Sequence, residues 1–419
     1  MRHLTMLACI LLPGIATSVR AEETCSADPK WLNAVAPLPV FAEPAPKRHD
    51  EKGGDCPFYQ AAWQVFLYAT QPVAGPDGKT LPLFLVRDFS TIEETFGAKF
   101  AGNFPLKSEK FANELSLAPK SLQRANSSDP KSHPRIGAGV NQAGSLAPVI
   151  DRNGNPLFYA IHMNDTIKNF FTNNHLLTRA GLKKAEQDPG FKNLEFPPGS
   201  IELKSAWQIV IDSSTPDNYF VTKAFVPWLK TDNQGNLFAD PSKKDDPREV
   251  TVALVALYVA FVLQDHPEFI WSTFEHVDSA GNPDTAPSAA HNPTKPPTPI
   301  GLIPTTPPVT DYLLFKAGSP LADANVVPKP TPDILANFDE TKQSFTKTGR
   351  VFQTSVYRVY RASKADDKEG IDPEILAVSK RMADDVFKPG SINTTLDKRD
   401  RYRLVGAVWM DDPSVLSPK

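Results

Sequence analysis

The chain alternates between short stretches of regular apolar spacing and long polar gaps. Residues 58–70, FYQAAWQVFLYAT, place Phe58, Ala62, Val65, Phe66 and Ala69 at helical spacing, which predicts an amphipathic helix with an aromatic face. Residues 200–212, SIELKSAWQIVID, alternate instead. Ile201, Leu203, Trp207, Ile209 and Ile211 fall on one side of a strand, and Glu202, Lys204, Gln208 and Val210 on the other. Residues 251–262 are almost wholly apolar and rich in Val and Leu. They read as a strand buried on both faces, with a core helix as the alternative, and they are too short to cross a bilayer. Further strands are expected at 269–277, 351–361 and 402–410, and one short helix at 372–387. PVID and PLFYAI flank Arg-Asn-Gly-Asn between 148 and 161, which predicts a hairpin. Its Asn153-Gly154 is the dipeptide favoured where both turn residues take positive φ.

The gaps carry their own message. The chain has 41 prolines in 419 residues, about twice the usual ~5%. Proline removes a backbone donor and breaks helix interiors, so a bundle of long helices is excluded. Residues 101–145 are mixed in charge and rich in Ser, Asn and Pro, which suggests a long surface excursion. Residues 283–309 hold nine prolines and read as a polyproline-like loop without a core. The fold class that fits is α+β, a mostly antiparallel sheet with a few flanking helices and long proline-rich loops. No internal repeat is visible.

The amino terminus points to export. A polar start is followed by an apolar run at 4–16 that is too short for a membrane span, and Val19-Arg20-Ala21 has the small-x-Ala form of a signal-peptidase site. Cleavage after Ala21 is expected; a lipoprotein reading through Cys9 would leave almost no apolar region before the cysteine. The organisation is then a signal peptide at 1–21, a polar arm at 22–57 and a main α+β domain at 58–419 containing the 283–309 loop. A periplasmic or secreted location follows. There Cys25 and Cys56, the cysteines left after cleavage, are expected to pair. The alternative, a reactive thiol, lacks a nearby His or Lys cluster.

Net charge is −3, which offers no basic surface for nucleic acid. The motifs for a nucleophile elbow, a P-loop, a zinc protease and a dinucleotide fold are missing, as is a CxxCH haem-attachment motif. Asp151, Asn153 and Asn155 imitate the start of a calcium loop, but Pro156 stands where glycine is needed, and the hairpin explains them better.

The densest chemistry lies in HPEFIWSTFEHVD, from His266 to Asp278. As a strand it sends Phe269, Trp271, Thr273 and Glu275 to one face, and Ile270, Ser272, Phe274 and His276 to the other. A carboxylate and an imidazole among large aromatics could form a ligand site, or be the polar tips of a sheet strand. Glu202 and Lys204 raise the same question. Charges on such apolar strands need partners, so Lys204 is expected against Glu275, or Glu202 near His276, bordered by Trp207 and Trp271. His162, Tyr258 and His266 are secondary candidates, with His162 read as an ordinary hydrogen-bonding residue. No metal ligand set is expected.

IDRNGNPLFYAIHMND (150–165), SIELKSAWQIV (200–210), HPEFIWSTFEHVD (266–278) and RYRLVGAVW (401–409) resemble, in this order, an exported bacterial family labelled cytochrome c family protein. FYQAAWQVFLYATQP is similar to that family's early helix. The resemblance implies a periplasmic protein near electron-transfer chemistry, with haem c held through CxxCH. This chain has no CxxCH and ends at Lys419, where similar proteins continue into a haem-bearing segment. Tyr258 stands where relatives often carry a histidine, and Ala160 where an acidic residue is common. No cofactor is visible in the chain itself. The expected function is an exported redox-associated protein working with a periplasmic redox partner or small ligand. The alternatives are a binding or scaffold module without catalysis, and an enzyme using Glu202, Lys204, Glu275 and His276.

Overall fold

The computed structural model describes residues 25–33, 55–75, 80–96, 115–116, 148–210, 218–231, 237–243, 246–280, 311–317, 336–347, 355–356, 373–387 and 397–409. The expected signal peptide, most of the expected polar arm, the loop expected at 283–309 and all of the excursion expected at 101–145 except 115–116 lie outside these residues. So does the strand expected at 351–361, apart from residues 355 and 356, which are not in a strand.

One eight-stranded sheet organises the chain. Its strands are β1 (Phe89–Thr91), β2 (Leu115–Ser116), β3 (Phe158–Asn164), β4 (Ile201–Ile209), β5 (Val221–Val226), β6 (Arg248–Leu263), β7 (His266–His276) and β8 (Tyr402–Val408). The order across the sheet is β8-β7-β6-β4-β3-β1. All of these neighbours are antiparallel; β5 lies beside the first half of β6, and β2 joins β5 as the parallel exception. The protein is thus α+β with a mostly antiparallel sheet.

The long apolar run is indeed a strand, β6, and it is the axis of the sheet. It pairs with β4 on one edge and with β5 and then β7 on the other. A bulge at Val255 inserts an extra residue, so Leu254 and Leu257 face one side while Val255 and Ala256 face the other. β6 turns into β7 over Gln264 and Asp265, and Asp265 adopts a left-handed φ of 62°.

The longer helices are α1 (Cys56–Ala69), α2 (Asp165–Asn173), α3 (Arg179–Glu186) and α4 (Pro373–Arg381). α1 is the expected amphipathic helix with an aromatic face, and its apolar side is wider than the predicted stripe. Cys56, Phe58, Tyr59, Ala61, Ala62, Trp63, Val65, Phe66, Leu67 and Ala69 are all buried. The other four, Pro57, Gln60, Gln64 and Tyr68, form a narrow half-exposed stripe at i, i+3 and i+4 spacing. The helix lies on the inner face of the sheet and also touches α4. Phe66 stacks on Phe274 at 4.2 Å, and Trp63 meets the same ring edge-on at 4.9 Å. The Cys25–Cys56 disulfide ties the segment before α1 to the helix start. At the other end, Arg399 donates to the Leu67 carbonyl and grips Asp397. The helix α4, expected from sequence, continues into a wider π turn over Met382–Val386.

The expected hairpin forms, with a different turn. Ile150 bridges Pro156, but of the Asn-Gly dipeptide only Gly154 has positive φ, at 87°. Asp151 explains the difference: its Oδ1 accepts from the backbone N–H of Asn153 and of Asn155, at 2.8 Å each. The side chain holds the loop as an Asx turn, so only one residue needs the glycine-type conformation. Burial pushes the Asp151 carboxyl up to about 6 against those two donors.

Candidate functional site

Alternation along β4, β6 and β7 sorts the candidate residues into two groups. In an antiparallel pair, opposed residues point to the same side. Tyr258 of β6 is opposed by Lys204 of β4 and by Thr273 of β7. Ala260 is opposed by Glu202 and Trp271, and Ala256 by Ala206 and Glu275. Glu202, Lys204, Tyr258, Trp271, Thr273 and Glu275 therefore share the outer face, away from α1. On β8, Arg403 stands opposite Glu275.

Lys204 and Glu275 share the outer face, on strands that are not adjacent, whereas two other expected neighbours of the cluster fall on the inner face. β4 and β7 are not neighbours, because β6 runs between them. Lys204 lies level with Thr273 and Glu275 with Ala206, about two strand spacings of ~4.8 Å apart and one residue pair out of step. Glu202 cannot meet His276, which is on the inner face. Nor does Trp207 border the cluster. It is fully buried on the inner face, its indole N–H donating to Ser205 Oγ at 2.8 Å.

What surrounds the outer charges is aromatic. Trp271 is 36% exposed and lies 5.8 Å from Tyr258 and 5.6 Å from Phe269, ring to ring. Phe269 touches Phe196 at 5.2 Å, and Phe196 touches Phe170 of α2 at 4.4 Å. Lys204 places Nζ 4.8 Å from the ring centre of buried Tyr159. Burial, with the Glu202 charge adding to it, raises the Tyr258 phenol above its ordinary value. Glu202, Lys204 and Glu275 are all engaged by neighbouring groups, which is how charge persists on this face. Exposed Val408 (51%) lies beside Trp271 on the edge strand.

His276 has a different task. It stacks on Tyr219 with 3.7 Å between ring centres and meets Tyr402 edge-on. Its Nδ1 accepts from the Asp278 backbone N–H at 3.2 Å, and Nε2 faces the Asn218 carbonyl at 3.4 Å. That geometry calls for the neutral ring with hydrogen on Nε2. Burial holds its pKa down at about 4, against the pull of the Asp278 carboxylate. Tyr219 O–H donates to that carboxylate at 3.4 Å, and burial with this charge pushes the phenol well above 10. His276 thus locks the end of β7 and is divided from Glu275 by the thickness of the sheet. A catalytic dyad of these two neighbours is ruled out by geometry.

At His162 one ring nitrogen departs from the expected hydrogen-bonding role. The residue is buried on the inner face of β3, edge-on to Phe84 at 5.2 Å, and its Nδ1 has no hydrogen-bond partner. Burial lowers its pKa to about 4. His266 packs edge-on against Phe58 at 5.0 Å, and its Nδ1 lies 3.1 Å from Glu268 Oε1.

Sequence reasoning missed Tyr159, Phe196 and Arg403 around the outer face. Tyr159 and Arg403 were findable in principle, since each follows from strand register. Phe196 arrives from a loop and carried no signal. Among the described residues, no three His, Cys, Asp or Glu side chains gather in a way that could hold a metal ion. No described helix is long and apolar enough to cross a membrane. The chain matches no family model, no curated protein and no solved structure.

Proposed function

We propose that the protein is an exported binding module that serves a redox system through a ligand held on the outer sheet face. The observation that carries the binding reading is Trp271, a large aromatic left partly exposed beside Tyr258, with Glu202, Lys204, Thr273 and Glu275 on the same face. A partly exposed indole flanked by tilted aromatic rings, with acceptors and a cation at its margin, suits a saccharide. The sugar's C–H face covers the rings while its hydroxyls exchange hydrogen bonds with the charged groups. The redox association rests on the resemblance of the strand segments to the exported cytochrome c family. On this reading the redox centre belongs to a partner of this chain.

Two measurements test this. Screening the purified protein against a glycan array should return a saccharide whose binding falls at least ~10-fold in Trp271→Ala, with unchanged melting. Equal binding by the variant would remove the site from this face. A visible absorption spectrum of material isolated from its native compartment should show haem only as a separable, non-covalent companion. A Soret band that stays with the chain after denaturation would overturn the placement of the redox centre.

A further inference from the structure

A second cluster lies past the end of β5. Trp228 stands between that strand and the hairpin of Leu229–Thr231 with Leu237–Ala239. Its indole N–H donates to the Asp246 carbonyl at 2.9 Å, which folds the segment after the hairpin back toward the ring. Lys243 places Nζ 4.7 Å from the ring centre, and the Arg248 guanidinium carbon is 5.4 Å from it. Arg248 opens β6 directly opposite Val226. Two cations therefore share one indole.

The nearby carboxylates have other commitments. Asp240 accepts from Ser242 Oγ at 2.7 Å and from Lys230 at 3.1 Å, and Glu249 takes Lys223 at 2.5 Å. Arg248 is the anomaly. Its Nε and Nη2 are both closed off from solvent, and neither has a hydrogen-bond partner. These nitrogens form the side-on edge of the guanidinium, whose two parallel N–H bonds match the two oxygens of a carboxylate. The same edge is filled elsewhere in this chain: Arg399 Nε and Nη2 hold Asp397 Oδ1 and Oδ2 at 2.9 and 2.6 Å. A buried, charged donor pair without acceptors is costly, and contact with an indole offsets only part of that. Burial accordingly lowers the Arg248 pKa to about 10.

We propose that Arg248, Lys243 and Trp228 form a binding site for the carboxylate of a small organic acid. Arg248 Nε–H and Nη2–H each donate to one oxygen, Lys243 supplies the second positive charge, and Trp228 forms the apolar wall. The two parallel N–H bonds of the fork match the two coplanar oxygens of a carboxylate one to one, whereas phosphate would bring further oxygens around a tetrahedral centre.

The test uses the full chain labelled for arginine side-chain NMR, with the Arg248 Nε–H resonance assigned by its loss in Arg248→Gln. At fixed ionic strength, sodium acetate should shift that resonance to saturation, chloride should not, and the Arg399 resonance should stay still. Lys243→Gln, an exposed change that leaves the fold intact, should weaken acetate by about 5-fold, the effect of one lost charge-assisted contact. That variant keeps the test decisive if Arg248→Gln fails to fold. An unsaturable shift, an equal response to chloride, or saturation by inorganic phosphate alone would overturn the proposal. So would a crystal structure in which a water bridges the fork to a backbone carbonyl.

Discussion

Replacing His162 by leucine should make the protein less sensitive to acid without harming it at neutral pH. In the folded chain His162 is buried, its Nδ1 is unpartnered, and its pKa is lowered from 6.5 to about 4. A histidine held neutral by burial binds its proton more readily in the unfolded chain. Stability is therefore complete above about pH 6.5 and drains away as pH falls toward 4. At about pH 4.5 the gap spans roughly two pH units, and at ~1.36 kcal/mol per unit the wild type has lost ~2.5 kcal/mol through this residue. His276, also held at about 4, adds a second loss of the same sign. Asp151 works in opposition, since its raised carboxyl gains stability on acidification. Both remain in the variant and cancel in the comparison.

The assay is urea unfolding of wild type and His162→Leu at about pH 7.5 and 4.5, compared as a double difference. Leucine has similar volume, and removing an unsatisfied buried nitrogen should make the variant equal to or ~1 kcal/mol more stable than wild type at neutral pH. At the acid pH its advantage should grow by ~2.5 kcal/mol. Equal losses in the two proteins would refute the argument. It would mean that His162 finds a partner or solvent in solution and titrates alike in both states.

Two further outcomes follow from the core. Phe66 is fully buried and stacked at 4.2 Å on Phe274, so Phe66→Ala should cost about 3–5 kcal/mol in the same unfolding assay. Replacing both cysteines by serine opens the Cys25–Cys56 closure, a separation of 31 residues. It should lower stability by about 3–4 kcal/mol, and mass spectrometry of the wild type should find no free thiol at either position.

The parts of the fold legible in the sequence are those where local pattern and final environment agree. β4 and β7 alternate cleanly because one face is wet and the other meets α1, so period two survives into the structure. β6 read as buried because it is the sheet axis and no side of it reaches water for long. α1 was legible as amphipathic, but its buried side is wider than the stripe named from sequence, since Tyr59, Trp63 and Leu67 are buried as well. Gln60 and Gln64 keep the narrow remaining face half-exposed, and contact with both the sheet and α4 accounts for the extra burial. The β6–β7 turn left no mark. Gln264-Asp265 lacks the residues that usually advertise a two-residue hairpin, and Asp265 accepts the left-handed backbone that glycine or asparagine would normally take.

The misreading of the charged cluster has a physical origin. Alternation states which side chains share a face within one strand, and on that point Glu202 with Lys204, and Trp271 with Glu275 against His276, were read as the sheet has them. It is silent on which strands are neighbours. Two charge-bearing strands were joined because an unpaired buried charge is expensive, but the argument requires only that each charge has some partner. In the sheet β6 runs between the two strands, with Lys204 over Tyr159 and Arg403 opposite Glu275 in register. Electrostatic need fixes the existence of partners, whereas chain connectivity decides who they are. His276 shows the same division. Its place beside Glu275 in sequence suggested shared chemistry, yet adjacent residues in a strand are the pair that the sheet separates most completely.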